Sequence, residues 1–138
     1  MYKSFTLLKY SQNYNNCIRT EAGYCKIQYK ESSGTTPDAF AMVASSGNAE
    51  ASAGGCPSSF LYIPNLSSDG VNALTTPSSP EAFISFHCGG VLGIDGTVVS
   101  LALVSATKPF LVGVYTDPAT ALTSPTTGFS LDYTQLPC

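Results

Sequence analysis

The sequence predicts an all-β fold, and three features of the chain lead to that prediction. Apolar residues do not recur at the three-to-four spacing of an amphipathic helix. Apolar and polar residues instead alternate along several short runs, as they do in strands with one buried face. Gly, Pro, Ser and Asn separate these runs at regular intervals, which is typical of a β-sandwich or β-barrel. With 138 residues, the chain has the length of one domain.

Each predicted strand depends on its own pattern. In Cys25–Lys30 and in Phe129–Thr134, apolar side chains alternate strictly with polar ones, so each run is expected to have one buried face. Phe110–Thr116 is a β-prone run that follows a proline. The continuous apolar run Thr97–Ser105 predicts a strand that is buried on both faces. Shorter strand candidates are Asp38–Ser45, Phe60–Ile63 and Phe83–Cys88.

The composition excludes several classes of partner. The formal net charge is -3 and the pI is about 4.8, so the chain lacks the basic surface that nucleic-acid binding needs. No apolar run is long enough to span a membrane. The opening residues, Met1–Tyr10, are too polar for a signal peptide, and a secreted form would then be a mature piece or a fragment. Only 11% of the residues are charged, which suits an extracellular or assembled protein.

The five cysteines indicate disulfide bonds rather than a metal centre. None of them forms a Cys-x-x-Cys pair, and the single histidine, His87, directly precedes Cys88. Adjacent side chains on a strand point to opposite faces, so these two cannot readily share a metal. We therefore expect no cofactor, an oxidising compartment, and one cysteine without a partner in the chain.

The sequence does not predict an enzyme. His87 is the only imidazole, and no Gly-x-Ser-x-Gly elbow is present. The acidic residues mostly lie in or beside predicted turns, where they serve solubility and turn formation. Gly89–Gly93 follows a strand candidate without a helical pattern after it, so it predicts a bend rather than a phosphate-binding loop.

The order of motifs in the second half of the chain resembles a CUB domain. Cys56 precedes the apolar run Phe60–Pro64, Cys88 is followed at once by two glycines, Pro109–Asp117 is a strand ending in an aspartate, and Gly128–Tyr133 alternates. The segments Asn16–Cys25 and Gly128–Cys138 are similar to the arthropod branch of secreted CUB-containing proteins. The resemblance covers about Gln12 to Cys138.

The resemblance implies a fold and a set of disulfide bonds. The fold would be a jelly-roll-like β-sandwich of two antiparallel sheets, with residues 1–138 forming a single CUB-like domain that lacks its N-terminal strand. The implied bridges are Cys17–Cys25 and Cys56–Cys88. Cys138 would then be unpaired, or bridged to a cysteine outside this chain.

Many CUB domains bind calcium through three acidic residues. Asp117 matches the last of these, Glu50 lies in a loop of uncertain register, and Pro57–Phe60 contains no carboxylate where the second is expected. Because Ca²⁺ takes six to eight oxygen ligands, we expect a degenerate calcium site at most. Separately, Asn65-Leu66-Ser67 is a glycosylation sequon in a predicted surface loop.

The resemblance implies a secreted, extracellular, non-catalytic binding module for protein–protein or protein–glycan recognition. Binding would use loops or an exposed sheet face carrying tyrosine; Tyr10, Tyr14 and Tyr24 are candidates that would equally serve as core residues. One alternative is a structural, self-assembling protein of a matrix, coat or fibre, which the low charge, the many hydroxyl groups and an unpaired Cys138 favour. Another is an accessory domain of a secreted protease.

Overall fold

The computed structural model describes residues 3–7, 12–33, 39–42, 49–50, 56, 58–72, 83–94, 96–117 and 128–138, with the backbone alone for 3–7 and 50. These residues contain ten strands and no helix, so none of them form a helix long and apolar enough to cross a membrane. The predicted all-β class is confirmed. The strands are β1 (Lys3–Leu7), β2 (Asn13–Ile18), β3 (Tyr24–Glu31), β4 (Phe40–Ala41), β5 (Ala49–Glu50), β6 (Phe60–Leu66), β7 (Ile84–Gly89), β8 (Leu103–Ser105), β9 (Phe110–Tyr115) and β10 (Gly128–Pro137).

The strands form two antiparallel five-stranded sheets. The first has the order β1-β10-β3-β8, with β4 also paired to β10, and the second has the order β2-β9-β6-β7-β5. Every described pairing is antiparallel. Most neighbours in the sheets are distant in sequence, as in the β2–β9 and β3–β10 pairs. The arrangement is the expected sandwich of two antiparallel sheets.

The core lies between the sheets and contains the apolar residues of the predicted alternation in β3 and β10. The polar residues Ser130 and Asp132 of β10, which were expected on an open face, are buried as well. From the first sheet, β3 buries Ile27 and Tyr29, and β10 buries Phe129 and Leu131. The second sheet contributes buried residues of β6 and β9, which are Leu61, Ile63, Leu66, Phe110, Val112 and Val114. Burying such side chains is the main favourable term in folding.

Among the described residues, backbone hydrogen bonds connect the two sheets at two points. Ser67, just after β6, exchanges two bonds with Val104 of β8, with N–O distances of 2.9 and 2.7 Å. Met42, just after β4, donates its N–H to the carbonyl of Gly89 at the end of β7 (3.0 Å). Gly70 packs closely beside the first point, where a Cβ would lie 2.8 Å from Cγ1 of Val104.

The prediction of a long buried strand over residues 97–105 is wrong for most of its length. Only Leu103–Ser105 forms a strand, while Val98 and Val99 are 68% and 62% exposed. The preceding residues bond other segments instead. Thr97 N–H donates to Ile94 O, Leu101 N–H donates to Leu92 O, and the carbonyl of Thr97 accepts the N–H of Ala49. An apolar run in a sequence does not by itself show which backbone groups will form hydrogen bonds with a neighbouring strand.

The cysteine pairing differs from the one that the resemblance implies. The Cys56–Cys88 bridge is present, with Cα atoms 5.8 Å apart. The second bridge joins Cys25 to Cys138, with Cα atoms 4.8 Å apart, so the expected Cys17–Cys25 bridge and the unpaired Cys138 are wrong. The physical reason is the pairing of the strands. β3 and β10 are neighbours in the first sheet with Tyr24 opposite Pro137, so the next residues, Cys25 and Cys138, lie close together. Cys17 lies in β2 of the second sheet. All five cysteines are described, and Cys17 is the free one and is exposed.

Candidate binding face

Four aromatic side chains cluster on the outer surface of the second sheet, and we call them the aromatic face: Phe60, Tyr62, Phe86 and Tyr115. Their position follows from strand alternation, because Leu61 and Ile63 of β6 point into the core and their neighbours must point out. Tyr62 and Tyr115 are 36% and 37% exposed, and the two phenylalanines are half-buried.

The register of the strands brings these residues together in two rows. In the first row Phe60 lies opposite Tyr115, which lies opposite Asn13 of the edge strand β2. The second row runs from Phe86 of β7 through Tyr62 and Gly113 to Asn15. Side chains directly opposite each other in an antiparallel pair are the ones that contact across a sheet.

The rings contact one another in the geometries that aromatic pairs favour. The rings of Phe60 and Tyr115 stack with centroids 5.0 Å apart and an interplanar angle of 21°. Phe86 makes edge contacts with Phe60 at 5.1 Å and with Tyr62 at 5.4 Å. Such pairs contribute beyond the area they bury, so the cluster is a defined surface rather than four independent side chains.

A shallow depression of about 330 Å³ lies among these rings. Gly113 forms part of its lining, and a Cβ added there would lie 2.8 Å from Oδ1 of Asn15 and 3.3 Å from Cβ of Tyr62. The missing side chain therefore lets the asparagine amide and the tyrosine approach each other across β9. None of the described residues that line the depression is charged; they are Asn13, Asn15, Phe60, Tyr62, Phe86, Gly113, Val114 and Tyr115.

The arrangement suits non-covalent recognition. Ring faces offer apolar contact, the two phenol groups can donate or accept hydrogen bonds, and the amides of Asn13 and Asn15 can do both. Exposed tyrosine and phenylalanine are typical of protein interfaces.

At the positions of the expected calcium ligands, the described side chains supply one carboxylate, that of Asp117, and a degenerate calcium site at most stays a prediction. Ser59 is buried, and its hydroxyl accepts the backbone N–H of Asp117 at 3.3 Å. A neutral hydroxyl thus stands where the resemblance implies a carboxylate, and the side chain of Glu50 is outside the described residues. The described part of the chain contains no group of three or more His, Cys, Asp or Glu residues placed to hold a metal.

The sequon asparagine lies at the end of a strand rather than in a loop. Asn65 is exposed within β6, where the register with β7 is irregular, and has a φ of 52°. Its Nδ2 donates to Oγ1 of Thr107 (2.9 Å), and its backbone N–H donates to Oγ of Ser85 (3.0 Å). Glycosylation of Asn65 stays a prediction.

The other residues singled out from the sequence are dispersed. His87 is only 1% exposed within β7. Tyr14 is half-buried against the core, Tyr24 is 38% exposed at the start of β3, and Tyr10 lies outside the described residues. Sequence reasoning missed the aromatic face because its rings come from three strands, although the alternation in Phe60–Ile63 was a usable signal for its two β6 members.

The comparisons with known proteins give one match. A family model described as "Animal CUB domain" matches residues 6–136. No curated protein matches the sequence, and neither does any solved structure. The match covers nearly the whole chain but does not address the arthropod branch, which stays a prediction.

Proposed function

We propose that this chain, which belongs to the animal CUB domain family, is an extracellular recognition module that binds a protein partner through the aromatic face. CUB domains are generally extracellular protein-interaction modules and are typically non-catalytic. The two disulfide bonds support an oxidising compartment. The observation that carries the proposal is the aromatic face itself, with its two partly exposed tyrosines beside an uncharged depression.

The lining of the depression points to an apolar, uncharged segment of the partner. Because no described lining residue is charged, attraction between net charges contributes little there. Affinity would come from ring contacts and from burial of apolar surface around Tyr62 and Tyr115, since tyrosine is one of the residue types enriched among interface hot spots. We therefore expect binding to change little between low and moderate salt.

The test is a selection of random peptides displayed on phage against the immobilised domain. We expect the selected peptides to be rich in apolar and aromatic residues. Tyr62→Ala and Tyr115→Ala should each weaken a selected peptide at least about fivefold, the effect of truncating an interface anchor. Titration calorimetry with synthetic peptide measures the change, and circular dichroism verifies the fold of each variant.

Matched controls come from another exposed apolar site. Val98 and Val99 are more exposed than either tyrosine, so Val98→Ala and Val99→Ala should leave peptide binding unchanged. If the selected peptides bound both tyrosine variants as tightly as the wild type, the binding site would lie outside the aromatic face. A glycan array run in parallel gives the other outcome: if neutral glycans bound and no peptide did, recognition would be of carbohydrate, and the proposed protein partner would be wrong.

Self-assembly is the second candidate function, and one observation favours it. The free thiol is Cys17 rather than Cys138, and it is exposed on β2, an edge strand of the second sheet. Edge strands present unpaired backbone groups that can pair with another chain. A covalent dimer on non-reducing gels that disappeared on reduction and in Cys17→Ser would favour this function.

A further inference from the structure

A second opening, of about 420 Å³, lies between the two sheets, and we call it the edge cavity. It is bordered by the edge strand β2 and by residues of β3, β9 and β10. Protein interiors rarely leave voids much larger than a water molecule, and this volume lies within the range of small-molecule sites. Its apolar and aromatic wall is formed by Ile18, Tyr29, Val112, Phe129, Leu131 and Tyr133.

One polar group in this wall lacks a partner. Tyr29 is 1% exposed, and its hydroxyl is buried without a hydrogen bond to any described residue. Burial, and secondarily the neighbouring Tyr133, raises the pKa of Tyr29, so the group stays protonated and can donate. Buried hydroxyl groups in native proteins are normally satisfied, which makes this one a candidate contact for a bound molecule.

The charged groups near the cavity lie at its rim and not inside it. Arg19 and Glu21 form an exposed ion pair at 3.2 Å. Gln135 of β10 spans the same segment, since its Oε1 accepts the N–H of Glu21 and its Nε2 donates to the carbonyl of Arg19, both at 2.9 Å. The described interior of the cavity therefore has no charge to pair with an ionised ligand, whose desolvation would be costly.

We propose that the edge cavity binds a small, uncharged and mainly apolar molecule with an acceptor oxygen, such as a ketone or an ester, that the Tyr29 hydroxyl contacts. The wall supplies apolar contact over the body of the molecule. The hydroxyl supplies a directional contact and so distinguishes an oxygen-bearing ligand from a hydrocarbon of similar size. The edge cavity and the depression of the aromatic face share Asn15 at their border. Tyr29 and Ile18 line only the edge cavity, and Tyr62 and Tyr115 line only the depression, so variants of these residues test the two sites independently.

The experiment is a titration of isotope-labelled protein with acetophenone and with ethylbenzene, followed by methyl NMR. We expect saturable shifts of the Ile18, Val112 and Leu131 methyl signals with both probes. Tyr29→Phe removes only the unpartnered hydroxyl and should keep the fold. It should weaken acetophenone about threefold to tenfold, the loss of one hydrogen bond, and leave ethylbenzene unchanged. The comparison of two probes in two proteins isolates that bond.

A cavity-filling variant gives the second readout. Ile18 is half-buried at the β2 border, so Ile18→Phe should be tolerated and should reduce binding of both probes at least tenfold. Val98→Ala, at an exposed position that does not line the cavity, is the control and should bind as the wild type does. The proposal is overturned by shifts that do not saturate, by shifts confined to the aromatic face, or by a Tyr29→Phe variant that affects both probes equally.

Discussion

At the scale of single residues, His87 is an ionisable side chain held in the interior of the sandwich. Burial lowers its pKa from 6.5 to about 4, and an interaction with the backbone of Ile84 offsets only part of that effect. The imidazole is therefore neutral in the folded protein at pH values where the unfolded chain is already protonated. Below pH 6.5 the unfolded state binds more protons than the folded state does, so the free energy of unfolding must decrease as the pH is lowered.

We expect the free energy of unfolding to decrease from about pH 6.5 to about pH 4 by on the order of 3 kcal/mol because of His87, and the effect to level off below that range. Urea titrations at several pH values measure it. His87→Leu, an apolar residue of similar size, should remove this part of the slope and leave the part due to carboxylates. Equal slopes in the two proteins would contradict the assignment. Hydrogen bonds from the backbone N–H groups of Asn72 and Val71 lower the pKa of Asp69 to about 2. Asp69 therefore titrates below the pH range in which His87 affects stability.

At the scale of one strand, β9 shows how a sheet can expose a surface without weakening the fold. Its inward residues, Phe110, Val112 and Val114, are buried. Two of its outward residues, Gly113 and Tyr115, lie between β2 and β6 in the two rows of the aromatic face. Glycine is unfavourable in a strand interior by roughly 0.5–1 kcal/mol relative to alanine, so Gly113 is better explained by the depression than by stability.

Gly113→Ala should change peptide binding at the depression while leaving the stability of the fold nearly unchanged. The new Cβ would meet the flexible end of Asn15 first, so we expect unfolding free energy to change by less than about 1 kcal/mol, while a peptide selected on the aromatic face binds more weakly. Gly93→Ala is the contrasting variant, because its Cβ would lie 3.2 Å from both the Val99 carbonyl and Ala49 Cβ. It should cost about 1–3 kcal/mol. Unfolding and calorimetric titrations distinguish the two.

The pairing of β3 with β10 joins two strands that are far apart in the sequence. The two strands are adjacent along Glu31–Tyr24 and Leu131–Pro137, and the Cys25–Cys138 bridge closes a separation of 113 residues. Constraining so long a loop restricts the unfolded chain strongly. The bridge joins Cys138, which follows β10, to Cys25 in β3, and both strands are inner strands of the first sheet as described.

Peptide mapping without reduction should recover Cys25 linked to Cys138 and Cys56 linked to Cys88, with Cys17 alkylated in the native protein. A Cys17–Cys25 peptide would contradict the topology. Replacing both Cys25 and Cys138 by serine should lower the unfolding free energy by about 2–4 kcal/mol. Cys17→Ser, at an exposed free thiol, is the control and should change stability by no more than about 0.5 kcal/mol.

At the scale of the whole molecule, the two candidate sites share one border. Asn15 lines both the depression of the aromatic face and the edge cavity, since β2 is an edge strand of the second sheet and also borders the space between sheets. Backbone bonds join the sheets at Ser67–Val104 and at Met42–Gly89. At the β2 border the side chain of Gln135 in β10 instead bonds the backbone of Arg19 and Glu21, in the connection between β2 and β3.

The sequence alone determined the β class, the inward faces of β3 and β10, and the family. Alternation is a local property, so Ile27, Tyr29, Phe129 and Leu131 could be assigned to the core without knowing what they contact. The family resemblance rested on the order of motifs along the chain, which is also visible in one dimension. The Cys56–Cys88 bridge belonged to that resemblance and is present.

Only the tertiary structure decided which strands are neighbours, and the candidate sites depend on that. Phe60, Phe86 and Tyr115 meet because β6 pairs with both β7 and β9, and Cys25 meets Cys138 because β3 pairs with β10. Val98 and Val99 were predicted to be buried and are exposed, since they precede the short strand Leu103–Ser105 and lie outside it. Strand pairing is a long-range choice among many residues with similar local preferences, so no short stretch of this sequence encodes it.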